Sequence, residues 1–220
     1  MKIGSIDLEW LGHATFKIKF SGLTIYIDPY QIVKPDKADI ILVTHSHYDH
    51  CSQQDIEKIA KDGTIVVATP DCQSNLARLK QKIEIKLIEP GKELTIKEIK
   101  IKAVEAYNQN KKFHPKSEEW VGYVLRFGDT VVYHAGDTDL IKEMSTLTGY
   151  SSSKYFIALL PVGGTYTMNA QEAAEAAAII KPTIAIPMHY GTIVGSRSDA
   201  EKFVKLCEEK NITAKILEKI

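Results

Sequence analysis

No stretch of about 18 apolar residues interrupts this 220-residue chain, so no membrane-spanning helix is expected. The N-terminus, Met1-Lys2-Ile3-Gly4-Ser5-Ile6-Asp7, meets an acid before the apolar core of a signal peptide could form, which points to a soluble, unexported, cytoplasmic chain. Cysteine is scarce. Cys51, Cys72 and Cys207 are an odd count without CxxC spacing, which argues against a disulfide framework and suits a reducing compartment. Arginine is equally scarce, with only Arg78, Arg126 and Arg197. An excess of charge is missing as well, because 28 Lys plus Arg balance 28 Asp plus Glu. Nucleic-acid and acidic-membrane partners normally require a basic surplus, so both are disfavoured. Repeats, low-complexity tracts and linkers are absent too, and 44% hydrophobic with 25% charged residues are ordinary globular values. A single domain over residues 1–220, burying roughly 70% of its unfolded surface, is therefore expected.

Periodicity suggests the elements. Residues 6–11, 15–20 and 23–27 alternate apolar and polar side chains, with Ser21-Gly22 as a tight turn between the last two. Residues 38–43 form a continuous apolar run, the signature of a strand buried on both faces. Ser52 can cap a helix reaching about Lys61 and ended by Gly63, and Asp71 can cap another running to about Lys82, with a strand at 64–69 between them. Strands are expected at 83–88 and across 93–106 with a reversal near Lys97, the lysines from Lys97 to Lys102 marking a solvated sheet edge. A polar loop follows at 107–119, then a hairpin of 120–127 and 130–134 across Gly128-Asp129. The last third alternates: a strand at 155–160, a helix from the cap Asn169 to Ile180 stopped by Pro182, a strand at 183–187, a helix from Ser198 and a strand at 213–217. Strand-rich beginnings followed by helices in each half fit an α+β fold of two facing sheets with helices outside better than one doubly wound sheet.

The chemistry concentrates in His45-Ser46-His47-Tyr48-Asp49-His50, directly after the apolar run. In an extended segment residues two apart share a side, so His45, His47 and Asp49 can converge while His50 reaches a second point, which is a metal-binding layout. His114 lies in the polar loop. Asp137, in His134-Ala135-Gly136-Asp137-Thr138, and His189, in Pro187-Met188-His189-Tyr190, each follow a strand, where rigid elements present ligands. Plainer roles stand beside these: an exposed loop histidine for His114, a helix N-cap for Asp137, a satisfied core histidine for His13 or His134, and a small buried hydrophobe for Cys51. All seven histidines nonetheless fall inside or beside these segments.

The His-x-His-x-Asp-His run, the lone His114, Gly136-Asp137-Thr138 and the terminal His189 resemble the metallo-β-lactamase superfamily. Leu11-Gly12-His13-Ala14-Thr15, Ile27-Asp28-Pro29, the run from Leu160 to Met168 and Pro187-Met188-His189-Tyr190 are similar to a narrower branch, the small metal-dependent hydrolases related to ascorbate-6-phosphate lactonase. The resemblance implies a four-layer αββα sandwich with mixed sheets. It implies His45, His47 and His114 on one of two divalent ions, Asp49, His50 and His189 on the other, and Asp137 bridging them. His13, Asp28 and His134 would stand behind these ligands, Asp28 orienting a ligating imidazole through its far ring nitrogen. Neutral imidazoles favour zinc, with manganese or iron as alternatives. Tyr107, Asn108, Lys116 and Tyr166 would lie at the mouth as substrate contacts, Lys116 suited to a phosphate. A bridging water whose pKa falls from about 15.7 toward 7 would supply hydroxide, with Asp49 as the catalytic group that orients it and accepts its proton. The implied activity is hydrolysis of a small-molecule ester or lactone, phosphorylated or not. The alternative is a phosphodiesterase or nuclease, against which the zero net charge counts. A di-iron, oxygen-reducing relative would carry Glu in place of His47. Homo-oligomers, frequent in the family, make self-association an expectation.

Overall fold

Strands and helices alternate along the chain in nearly the order that its periodicities suggest. The structure is a computed structural model and describes residues 1–220. The first sheet runs in sequential order through β1 (Lys2–Ile3), β2 (Ile6–Gly12), β3 (Thr15–Phe20), β4 (Leu23–Ile27), β5 (Ile40–Val43), β6 (Ile65–Ala68) and β7 (Glu84–Leu87). It is antiparallel from β1 to β4 and parallel from β4 to β7. The second sheet comprises β8 (Glu93–Ile96), β9 (Ile99–Glu105), β10 (Val121–Phe127), β11 (Thr130–His134), β12 (Tyr155–Pro161) and β13 (Ile184–Met188), again neighbours in sequential order. It is antiparallel up to β11 and parallel from β11 to β13.

Alternation along the strands sorts side chains into layers. In β5, Ile40 and Leu42 join the large core, whereas Ile41 and Val43 join a smaller cluster with Ile56 and Ile59 of helix α1 (Gln53–Ile59). Strands β4 and β6 divide the same way: Ile25, Ile27 and Val67 face the large core, and Tyr26, Val66 and Ala68 face the helix. The short helix α2 (Gln73–Leu76) contributes Leu76 to the same outer cluster. Against the second sheet, α3 (Ala170–Ile180) packs on β12 and α4 (Arg197–Glu209) on β13. The Tyr123 hydroxyl of β10 donates to the Val43 carbonyl at 2.8 Å and ties the two sheets together. The architecture is therefore an αββα sandwich of two mixed sheets. No helix is long and apolar enough to cross a membrane.

Five details depart from expectation. The run predicted as a strand from residue 38 begins at Ile40, because Ala38 N–H donates to Ile59 O at the end of α1. The helix predicted from Asp71 to Lys82 is a 3-10 turn at Pro70–Cys72 followed by the four residues of α2. Asp71 caps nothing: its carboxylate accepts from Ser46 N and from Trp120 Nε1. The last helix starts at Arg197, where Ser196 and Asp199 close a capping box, so Ser198 is not its cap. Residues 213–217 make only the isolated bridge between Ala214 and Ala185. Finally, the lysines from Lys97 to Lys102 do not mark an edge, since β9 lies between β8 and β10 with Ile99, Ile101 and Ala103 turned inward. Strand β1 and the 3-10 stretch Lys142–Tyr150 were not foreseen.

Helix α3 opens on the predicted Asn169, whose side chain accepts from Gln171 N and Glu172 N while Glu172 accepts from Asn169 N. Asn169→Ala is expected to lower stability by about 1 kcal/mol. A urea titration should show this as a lower midpoint at unchanged slope, and an unmoved midpoint would contradict the capping role.

Candidate metal centre

Beyond Val43 the chain leaves β5 in a tight turn, in which His50 N and Cys51 N both donate to His47 O, at 3.0 and 2.8 Å. The segment is thus folded where an extended one was expected, and the fold itself separates the imidazoles into two groups. His45 Nε2 lies 3.0 Å from His47 Nδ1, and His114 Nε2, arriving from the β9–β10 loop, lies 3.2 Å from the same atom. Ligands about 2.1 Å from a tetrahedral cation stand roughly 3.4 Å apart, so these three rings already have the spacing of one coordination shell. His13, Asp49, His50 and His189 form a second cluster beside the first. Asp137 stands between them. Its Oδ2 is 3.2 Å from His114 Nε2 and 3.1 Å from His189 Nε2, and its Oδ1 is 3.4 Å from His50 Nε2. Asp49 Oδ2 lies 3.6 Å from His50 Nε2 and 4.0 Å from His189 Nε2.

Buried polar atoms are normally paired, because an unpaired one forfeits its hydration without compensation. Here His50 Nε2, His189 Nε2 and Asp137 Oδ1 are all buried and make no aligned hydrogen bond, although carboxylate and rings stand only 3.1 to 3.4 Å apart. Burial, with the facing rings of His50 and His114, holds His45 well below the ordinary histidine range, and burial with His114 and His50 lowers His47. Both rings are then neutral and offer lone pairs. Burial would lower His50 too, but the Asp137 and Asp28 carboxylates raise it well above its ordinary value. Burial would raise the Asp137 carboxyl, whereas His189, His50 and His114 hold it well below the carboxylate range. A site that draws a proton onto a buried imidazole between carboxylates is one that attracts positive charge. The donor set fits divalent cations.

Behind the imidazoles, Asp28 is completely buried and meets three donors: Thr44 N at 2.8 Å, Thr44 Oγ1 at 2.7 Å and His50 Nδ1 at 2.7 Å. Thr44 Oγ1, its proton given to Asp28, accepts from His45 Nδ1 at 2.9 Å. One carboxyl group thus fixes two rings with their Nε2 atoms turned inward, the arrangement that second-layer carboxylates impose on metal-binding histidines. His13 Nε2 donates to Asp49 Oδ2 at 2.8 Å. His134 is satisfied by backbone alone: its Nε2 donates to Ala14 O and its Nδ1 accepts from Gly136 N. Its hydrogen bond from Gly136 N secures the turn that carries Asp137. No helix starts at Asp137.

Several of these positions need unusual backbone. His13, Asp28, His114 and His189 all have left-handed φ, between 47 and 58°. Such strain persists where surrounding structure over-determines it, and it gathers at functional sites. Gly163 lets its loop approach closely, since a Cβ there would stand 2.5 Å from His189 O.

The expected substrate contacts divide. Tyr166 lines a cavity of about 210 Å³ together with His47, Asp49, Asp137 and His189, and its carbonyl accepts from His114 Nδ1 at 3.1 Å. Asn108 Nδ2 donates to the same carbonyl at 2.7 Å, so Asn108 supports His114 and does not line the cavity. Tyr107 and Lys116 are also outside it. Lys116 pairs with Glu105 and Glu143 at 2.9 and 3.1 Å, and Tyr107 donates to Glu143 at 2.9 Å, so both are turned to a glutamate pair away from the cavity lining. Sequence reasoning missed Thr44, Asp71 and Trp120. The Trp120 ring lies 4.8, 4.7 and 5.4 Å from the rings of His45, His47 and His114. Thr44 adjoins the histidine motif and was there to be found, but nothing local marks Trp120.

Residues 7–189 match the family model described as the beta-lactamase superfamily domain. A UPF0173 protein of Pyrococcus abyssi is 37% identical over 200 residues, which cover 90% of this chain and 89% of that protein. A UPF0173 metal-dependent hydrolase of Caldivirga maquilingensis is 36% identical over 213 residues, covering 91% of this chain and 89% of that one. Among solved structures, a candidate metal-dependent hydrolase of Parabacteroides distasonis superposes with a TM-score of 0.82 at 30% identity, covering 97% of this chain and 94% of that one.

Asp28→Asn replaces an acceptor oxygen with a donor facing His50 Nδ1–H or the Thr44 donors. Zinc affinity, measured by competition with a chromogenic chelator, is expected to fall about 10- to 100-fold with the circular dichroism spectrum preserved. Unchanged affinity in the folded variant would contradict the role given to Asp28.

Proposed function

The chain belongs to the metallo-β-lactamase superfamily, and from that premise we propose that it is a hydrolase that binds two divalent ions, zinc foremost, and cleaves a small-molecule ester or lactone. The observation that carries this reading is the position of Asp137, whose two oxygens face ligand atoms of both imidazole groups. His45, His47 and His114 would hold one ion, Asp49, His50 and His189 the other, and Asp137 both. When bound, such ions polarise the scissile carbonyl and lower the pKa of water toward 7.

The chain's own residues supply the rest. Burial would raise the Asp49 carboxyl, but the hydrogen bond from His13 and the charge of His50 bring it down to about 2, so it is a carboxylate at neutral pH. His13 is lowered to about 4, chiefly by burial, and therefore donates to Asp49 as a neutral ring. With one oxygen held by His13, Asp49 lines the cavity and would orient the attacking water and take its proton. The water oxygen joins the carbonyl carbon, the bond to the leaving oxygen breaks, and that oxygen takes the proton held by Asp49, departing as the alcohol of an ester or staying on the product as the hydroxyl of an opened lactone. Trp120, buried across the rings of His45, His47 and His114, keeps bulk water from their outer side.

A phosphodiesterase acting on nucleic acid fits less well, because positive and negative charges balance and no Lys or Arg lines the cavity. The test is a panel of simple esters, lactones and phosphodiesters assayed with zinc-loaded, chelator-stripped and zinc-restored protein. Turnover of esters or lactones that stripping abolishes and zinc restores is the expected outcome. Asp49→Asn is expected to lower kcat by about 10²- to 10⁴-fold. Undiminished turnover after stripping, or turnover of phosphodiesters alone, would overturn the proposal.

A further inference from the structure

The character of the substrate is written in the rim of the cleft. His47, Asp49, Asp137 and His189 form the floor of the 210 Å³ cavity, and the remaining lining residues are Tyr48, Phe113, Tyr166 and Ile193. These four come from four different loops, following β5, β9, β12 and β13. Three are solvent-exposed, at 66% for Tyr48, 46% for Phe113 and 37% for Ile193. Phe113 and Tyr166 meet edge to face with ring centroids 4.7 Å apart. Apolar side chains gathered from separate loops around a polar floor mark a ligand groove, since solvent exposure of such a group is otherwise unfavourable.

Cations are missing from the same rim. Phosphate and carboxylate groups are recognised by arginine forks or lysine point charges, and neither residue type lines the cleft. Nearby basic groups are committed elsewhere: Lys111 to Asp139, Lys116 to Glu105 and Glu143, and Arg197 to Glu218. Lys112 is exposed and outside the lining. The cavity is also small beside ligand pockets of about 300–1,000 Å³.

We infer that the substrate is an uncharged ester or lactone carrying an aromatic or branched aliphatic group of about the size of a phenyl ring, seated against Phe113, Tyr166, Ile193 and Tyr48, and that a phosphate or carboxylate at that rim position is disfavoured because no lysine or arginine lines it. This rests on the hydrolase reading above and narrows it. Cleavage follows the same bond changes: water oxygen to carbonyl carbon, loss of the alcohol, and a carboxylate product whose apolar part remains at the rim.

Two measurements on the zinc-loaded protein separate the inference from the reading beneath it. The first compares kcat/KM for methyl phenylacetate, methyl acetate and the anionic monomethyl succinate. The second is calorimetric binding of phenylacetate and of succinate, which needs no turnover. Methyl phenylacetate is expected to exceed both other esters by about ten-fold or more, and phenylacetate to bind more tightly than succinate. Phe113→Lys and Ile193→Lys, at exposed positions that tolerate a charge, are expected to lower the phenylacetate preference about ten-fold or more and to improve the binding of succinate, which carries a second carboxylate. Equal or better use of monomethyl succinate, or tighter binding of succinate, would overturn the inference while leaving the hydrolase reading intact. Preferential, rim-dependent binding of phenylacetate without hydrolysis of any ester would sustain the apolar rim and defeat the hydrolase reading.

Discussion

Asp28 and Asp137 set the terms for everything around them, because a carboxyl group removed from water is tolerated only where donors or cations meet its oxygens. Asp28 finds its donors within the protein, in the backbone and hydroxyl of Thr44 and in His50. That meeting follows from strand register: Ile27 of β4 pairs with Leu42 of β5, and Asp28 N continues the ladder by donating to Leu42 O, so Asp28 emerges beside Thr44. Asp137 is provided for differently. Its Oδ1 makes no aligned hydrogen bond, and neither does His50 Nε2, 3.4 Å away. One carboxyl group locks the rings in place, and the other faces the charge that those rings are arranged to receive.

Much of the fold was legible because β-structure writes itself at period two and its turns have a narrow chemistry. The Ser21-Gly22 turn needs left-handed backbone at both residues, and both have it, at φ 49 and 81°. The reversal at Lys97 likewise takes φ 54°. The helix starts were less legible for a physical reason: Asp71 and Ser198 carry the right side chains for caps, but capping competes with any other donor in reach. Asp71 is taken by Trp120 Nε1, from a residue 49 positions away, and Ser196 had already closed a box with Asp199. Lys116 illustrates the same limit in the site, since its partners Glu105 and Glu143 are 11 and 27 positions distant and no local pattern announces them.

The histidines and acids were legible on different grounds. Few roles require imidazole, carboxylate and a strand end together, so such residues stand out even where loops cannot be folded by inspection. What could not be read was their geometry: the turn at residues 45–50, and the left-handed backbone of His13, Asp28, His114 and His189. These strained positions and unpartnered buried atoms destabilise the chain by itself. A ligand that binds only the folded site offsets that cost by mass action, which couples the stability of this end of the sandwich to its occupancy.

The central claim, that two cations unite these groups, is met most directly by anomalous diffraction at the zinc edge from crystals of zinc-loaded protein. The account expects two peaks per chain, one among His45, His47 and His114, the other among Asp49, His50 and His189, with Asp137 reaching both. Peaks elsewhere on the surface, or none in this cleft under zinc-replete conditions, would contradict it.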